Sequence, residues 1–167
     1  DNQPPVALCL NITVNLNAGG TVTITASQID GGSTDNGTIV SLVASQTNFN
    51  CSNLGPNNVT LTVTDDGGNT AQCPAVVTVV DNIAPTAACQ NITIQLNGAG
   101  NASIVAADIN NGSSDNCPGF TLSASQTSFT CANVGANTVT LTVTDASGNQ
   151  STCDATVTVV DNVDPAI

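Results

Sequence analysis

An all-β chain made of two tandem β-sandwiches is the fold this sequence predicts, and three observations predict it. The sequence repeats itself without a gap. The repeat consists of short alternating runs rich in Val, Ile and Thr, separated by Gly, Asn and Asp, and no run shows the apolar period of an amphipathic helix.

The repeat sets the domain boundaries. A shift of 80 residues carries Cys9 onto Cys89, "NIT" at Asn11 onto "NIT" at Asn91, and "ASQT" at Ala44 onto "ASQT" at Ala124. The same shift carries Phe49 onto Phe129, Cys51 onto Cys131 and "VTLTVTD" at Val59 onto "VTLTVTD" at Val139. The expected units are therefore residues 1–80 and 81–160, with 161–167 reading as a linker or the start of a further repeat. "VVDNIAP", from Val79 to Pro85, becomes a joint, and "VVDNVDP", from Val159 to Pro165, repeats it. Proline restricts the backbone just before the first strand resumes.

Within the first unit the strands are expected in order at "NITVNL", "TVTITA", "IVSLVA", "NNVTLTVTD" and "AVVTVV". Side chains alternate faces along a strand, so Val59, Leu61 and Val63 point to the core and Thr60, Thr62 and Thr64 point outward. About seven such runs in a unit of this size suit a small Greek-key sandwich of the immunoglobulin type. Hydrophobic residues make up 40% of the chain but aromatics only 2%, so the core is built from Val, Ile, Leu and Ala with a few Phe.

Charge excludes several function classes. The chain has no Lys, Arg or His, all 12 acidic residues are Asp, and the net charge is −12. Nucleic acid and anionic membranes are bound through Lys and Arg, so neither is an expected partner. The expected small partner is a cation. Without His, Lys, Arg, Glu or Tyr, few groups remain for proton transfer or nucleophilic attack, and a thiol with no neighbouring base is poorly activated; the chain is read as a non-enzyme. The 7 cysteines include no CxxC pair, which favours disulfides and an oxidising compartment over a zinc-thiolate site. No run is apolar and long enough to span a bilayer. With neither an initiator Met nor a signal peptide at Asp1, the chain is expected to be a mature piece of a longer protein. The outward Thr rows and the Asn-x-Ser/Thr sequons at Asn11 and Asn91 are read as ordinary solvent-face and turn chemistry.

The stretch "GANTVTLTVTDASGNQSTCDATVTVVDN", with "NGSSDNC" upstream, resembles the hyalin-type (HYR-like) repeats of large bacterial cell-surface proteins, over nearly the whole of both units. It is more loosely similar to polycystic kidney disease domains, which share the "TVTLTVTD" strand. The resemblance implies an immunoglobulin-like sandwich, often arrayed in extracellular adhesive or filamentous proteins. It does not fix a ligand.

In a sandwich of this type the loop after the second strand and the last hairpin loop lie at the end where the chain enters. For unit two that end is expected to gather Asp81, Asn82, Asn110, Asp115, Asn116, Asp145 and Asn149. For unit one it gathers Asp1, Asp30, Asp35, Asn36, Asp65, Asp66 and Asn69, and Asp161 opens the same arrangement for a further repeat. Asp, Asn and Gly are also what turns are made of. Yet carboxylates about 5 Å apart repel by several kcal/mol at an intermediate dielectric, and no cation in the sequence offsets them. Ca²⁺ takes six to eight oxygen ligands of this kind in an adaptable geometry, and is the expected cofactor.

The first and last strands of such a sandwich can lie side by side in parallel, with Cys9 and Cys73 near their starts and Cys89 and Cys153 in the same places. The expected disulfides are Cys9 with Cys73 and Cys89 with Cys153, plus Cys117 with Cys131 across a possible hairpin near "ASQT". Gly37 stands where unit two has Cys117, which leaves Cys51 as a buried free thiol or one bonded to a neighbouring chain. The function expected is a structural module of an extracellular stalk, adhesin or filament, its joints stiffened by Ca²⁺ and its partners neighbouring repeats or identical chains in a fibre. The alternative is a calcium-dependent module that binds carbohydrate or protein.

Overall fold

The computed structural model describes residues 2–163, and the chain divides into two compact units, Asp1–Asn82 and Ile83–Ile167. Each is an all-β sandwich, as expected. Unit one holds β1 (Ile12–Asn15), β2 (Thr21–Thr23), β3 (Ile39–Ala44), β4 (Asn48–Asn50), β5 (Gly55–Asp65) and β6 (Thr70–Val80). Unit two repeats them as β7 (Ile92–Gln95), β8 (Asn101–Ser103), β9 (Thr121–Ala124), β10 (Ser128–Thr130), β11 (Gly135–Thr144) and β12 (Gln150–Val160). Among the described residues the only helices are single 3-10 turns, and no helix is long and apolar enough to cross a membrane.

The sheet order is β1-β6-β5-β3 facing a two-stranded β2-β4 in unit one, and β7-β12-β11-β9 facing β8-β10 in unit two. The alternation in "VTLTVTD" decides how the long strands lie. Val59, Leu61 and Val63 are no more than 1% exposed, while Thr60 is exposed and Thr62 and Thr64 are half-buried. In unit two Val139, Leu141 and Val143 join Ala155, Val157 and Val159 of β12 and Phe129 of β10 in one core. Phe129 closes the core from the smaller sheet; Phe49 does so in unit one.

β1 runs parallel to β6, with Ile12 opposite Val77 and Val14 opposite Val79. The chain therefore enters each unit beside the turn that starts its last strand, and leaves at the opposite end. Two side chains fix this join: Asn11 Oδ1 accepts from the Val76 N–H at 2.7 Å, and Asn91 Oδ1 accepts from Thr156 at 2.7 Å. At the exit end Asn57 Nδ2 donates to the carbonyls of Asn53, Gly55 and Val77 at 2.7, 3.0 and 3.3 Å, tying the irregular start of β5 to β6.

Disulfides Cys9–Cys73 and Cys89–Cys153 staple the same join, with Cα atoms 5.7 and 5.9 Å apart. Each closes a sequence separation of 64 residues, which contributes about 4 kcal/mol in the chain-entropy account. The expected Cys117–Cys131 bridge does not form, and Cys131 is a free, exposed thiol. Its premise was a hairpin about "ASQT". The strands on either side of that turn belong to different sheets, β9 pairing with β11 and β10 with β8, so they carry the two cysteines apart. Cys51 is likewise not the leftover thiol: both Cys51 and Cys117 are disulfide-bonded.

Two other expectations shift. "TVTITA" forms a strand only over its first three residues, because Ile24 turns inward to the core and Ala26–Gln28 then makes a 3-10 turn. β4 and β10 are short strands beside those named from the sequence, and among the described residues each unit has six strands rather than about seven.

Leu141 is fully buried, so Leu141→Ala is expected to cost about 2–5 kcal/mol in denaturant unfolding of the oxidised chain. Thr142→Ala, one residue along on the outer face, is expected to stay within about 0.5 kcal/mol.

Candidate metal centre

The entry end of each unit is built on the turn of its long hairpin. In unit two this turn is "DASGN", and Asp145 is its pivot. One carboxylate oxygen of Asp145 accepts from the Ser147 and Asn149 N–H groups at 2.8 Å each, and the other accepts from Asn149 Nδ2 at 2.8 Å. The backbone closes the same loop through Asp145 N–H to the Asn149 carbonyl at 3.0 Å. Gly148, at φ 92°, supplies the left-handed residue that a tight hairpin turn needs. Unit one repeats the bracket: Asp65 accepts from Asn69 N–H at 2.8 Å and Asn69 Nδ2 at 2.9 Å, with Gly68 at φ 81°.

The Asn side chains reach further. Asn149 Nδ2 donates to the Ile83 carbonyl at 3.4 Å, and Asn69 Nδ2 to the Gln3 carbonyl at 3.3 Å, so the turn also holds the incoming chain. Asp65 and Asp145 are buried, at 1% and 7% exposure. Burial pushes the Asp145 carboxyl up, but the donors from Asn149 and the backbone outweigh it and hold the group below its ordinary 3.8. For Asp65 the Asn69 amide is the chief cause of the same downward shift.

The second acidic loop of unit two brings Asp115 to this turn. An oxygen of Asp115 and one of Asp145 lie within 4.8 Å of each other. Both ionised, they repel by on the order of 3 kcal/mol at an effective dielectric near 20. Asp115 Oδ2 accepts from the Cys117 N–H at 3.2 Å, whereas Oδ1 is buried and accepts no hydrogen bond. The loop is positioned by Ser113, itself buried, whose Oγ accepts from Ala88 N–H at 3.0 Å, and by the bridge between Thr86 and Ser114. Each carboxylate oxygen has two lone pairs, so Asp145 can accept its N–H donors and still face a cation. All-oxygen donors with no nitrogen or thiolate suit a hard ion such as Ca²⁺.

The other expected ligands are placed as follows. Asp30 accepts from Ser33 Oγ at 2.5 Å and its N–H at 3.0 Å, which holds its carboxyl low, and Asn110 accepts from Ser113 N–H at 3.1 Å. Both thus serve turns that bridge to Cys9 and Cys89. Asp35 accepts from Gly37 N–H at 2.8 Å, Asn116 is half-buried beside Asp115, and Asn36 and Asp66 are exposed. Asn82 donates to Asn15 Oδ1 at 2.9 Å, at the exit end of unit one, as Asn162 does to Gln95 in unit two. Asp81 directly follows β6. Asp161 is exposed and accepts from Val163 N–H at 3.1 Å, and Asp1 lies outside the described residues. The Ile83 and Gln3 carbonyls were missed by sequence reasoning; the "D-x-x-G-N" spacing was the signal for the bracket that grips them.

No family model matches the chain, and no curated protein matches it. Among solved structures it is similar to human protocadherin-24 EC1-2, at 14% identity and TM-score 0.45, over 97% of this chain and 100% of that one. It is similar to mouse cadherin-23 EC22-24, at 13% identity and TM-score 0.43, over 95% and 67% of the two chains. An endo-fucoidan hydrolase of glycoside hydrolase family 107 gives 15% identity and TM-score 0.35, over 97% and 29%. Likenesses this distant carry no argument about ligand or role.

The bracket makes a pH prediction. Because Asp145 titrates lower when folded, its contribution to stability is complete above 3.8 and is lost as pH falls through the folded value. Asn149→Ala is expected to raise the Asp145 pKa, to cost about 1–3 kcal/mol at neutral pH, and to flatten the acid limb of the stability curve. Carboxyl-carbon NMR titration and melting from pH 2 to 7 measure both.

Proposed function

We propose that this chain is a structural repeat segment of an extracellular stalk, adhesin or filament, and that Ca²⁺ held at the entry end of a unit stiffens its joint with the preceding one. The observation that carries the reading is the Asp115–Asp145 pair, within 4.8 Å in a chain that has no Lys, Arg or His to neutralise it. Asp115 Oδ1, buried and without a donor, is the oxygen with most to gain from an ion. Asp81 is the third carboxylate assigned to that ion, since the chain carries it to within two residues of Ile83, whose carbonyl the same turn holds. Asn116 and backbone carbonyls of the two loops are the neutral ligands, and water completes a shell of six to eight.

The disulfide bridges support an oxidising, extracellular setting, and the hyalin-type resemblance supports a bacterial surface. The long strands reach 11 residues, about 37 Å of extended chain. Function in such a segment resides in length and resistance to bending, and neither requires a catalytic group.

Calcium is expected to raise the melting midpoint of the oxidised chain, and EDTA to return it. At 100 times the dissociation constant the shift corresponds to about 2.7 kcal/mol. Asp115→Asn is expected to keep the fold and weaken binding at least tenfold by calorimetric titration, because Asp115, unlike Asp145, is not the pivot of a turn. A midpoint unchanged by calcium rejects the ion. Micrographs of native material that show no elongated array reject the stalk.

A further inference from the structure

The sequence holds three Asn-Gly pairs, at Asn36-Gly37, Asn97-Gly98 and Asn111-Gly112. Such a pair carries its own reaction. The glycine nitrogen closes on the asparagine side chain to a five-membered ring, and glycine lacks the Cβ that would crowd this approach. Closure needs a side-chain amide free to swing and a backbone free to turn towards it, and the fold grants these unequally. Asn97 is held most firmly: its Oδ1 accepts from the Ala99 and Asn101 N–H groups at 2.9 and 3.0 Å, and its carbonyl accepts from Gly100 N–H at 2.8 Å. The Asn111 side chain is exposed, but its N–H donates to the Ala88 carbonyl at 2.8 Å. Ser113, on the far side of Gly112, is buried, and its Oγ accepts from Ala88 N–H at 3.0 Å. Turning the backbone between Asn111 and Gly112 pulls on both attachments.

Asn36 is placed differently. Both it and Gly37 are exposed, in a bend between Thr34, which bridges to Val6, and the start of β3 at Ile39. Among the described residues the Asn36 side chain makes no hydrogen bond. The bond that closure must open is local, since Gly37 N–H donates to Asp35 Oδ2 at 2.8 Å within the same bend. Opening it disturbs no strand. Unit two has Cys117 in place of Gly37, and its Asn116 is half-buried, so the pair is not repeated there.

We infer that Asn36 is a site of spontaneous covalent modification, which in the folded protein converts to isoaspartate and aspartate ahead of Asn97 and Asn111. The Gly37 nitrogen attacks Asn36 Cγ: the N–Cγ bond forms, the Cγ–Nδ2 bond breaks, and Nδ2 leaves as ammonia with the proton of the Gly37 N–H. Water then opens the ring. Attack at the Asn36 backbone carbonyl carbon routes the main chain through the side chain, as isoaspartate, and attack at Cγ gives aspartate. One water is consumed and one ammonia released, with no change of oxidation state. Either product adds a negative charge to a chain already at −12. Isoaspartate also inserts one carbon into the main chain between Asp35 and Gly37, which displaces the N–H that Asp35 accepts. The inference is independent of calcium and of the array.

The oxidised 167-residue chain, held for weeks at neutral pH and physiological temperature, tests this by peptide mass spectrometry after pepsin digestion in acid, where ring closure is slow. The peptide holding Asn36 is expected to gain one mass unit before those holding Asn97 or Asn111, with isoaspartate identified by electron-transfer fragmentation. Gly37 does not have a left-handed backbone, so alanine fits there, and Gly37→Ala is expected to slow the gain about tenfold. In the reduced chain in urea the three pairs are expected to convert at similar rates. An Asn36 that keeps its amide as long as Asn97 does overturns the inference. So does a rate at Asn36 unchanged by Gly37→Ala, or an order among the three pairs that is the same folded and unfolded.

Discussion

The register of the long hairpin is the constraint on which the rest of each unit depends. β5 and β6 pair without interruption from Gly55 opposite Val79 to Thr64 opposite Thr70, and β11 and β12 repeat the same pairing. A slip of one residue would turn Val59, Leu61 and Val63 to solvent and Thr60, Thr62 and Thr64 into the core. Every other strand of the large sheet is attached to this pair, β1 along β6 and β3 along β5. The bracketed Asp of the turn fixes the register at one end, and the Asn57 or Asn137 amide fixes it at the other.

A chain with no basic side chain must stabilise its buried carboxylates by other means. Asp65 and Asp145 are held by N–H groups of their own turns, so their partners are dipoles supplied by local sequence and need no long-range pairing. Such a bracket lowers the carboxyl pKa and leaves the negative charge in place. Asp115 is the contrasting case, since only one of its oxygens is served by a donor. The two carboxylates stand close because one is required by the turn and the other is delivered by the loop after the 3-10 turn Ala106–Ile109, which Ser113 anchors.

Much of this was legible in the sequence because the long strands report one face at a time. "VTLTVTD" alternates cleanly, and the core follows it residue by residue. The smaller sheet was harder to see. β4 and β10 are three residues long, and each has a single apolar residue, Phe49 or Phe129, between polar neighbours, too short for a period to register. The same weakness misplaced Cys131: spacing alone cannot tell a hairpin from a crossover between sheets. At the candidate site, composition marks which loops are rich in Asp and Asn but not which oxygens approach one another. Asp30 and Asn110 accept from Ser33 and Ser113 in their own turns, Asn82 donates to Asn15 beside the first strand of unit one, and only coordinates distinguish an oxygen committed to a turn from one facing another carboxylate.

The parallel join of first and last strand governs how a unit responds to tension. Pulling on the two chain ends draws β1 and β6 in opposite directions along their length, so the hydrogen bonds from Ile12 to Asn15 are loaded together in shear and do not unzip one by one. Should they part, Cys9–Cys73 still encloses the residues between the two sulfurs, and only the short tails outside that bridge can be drawn out. A unit built this way can extend only by those tails, and the C-terminal one carries Ala75, Val77 and Val79 of the core, so its withdrawal is resisted by apolar burial as well as by the strand pairing.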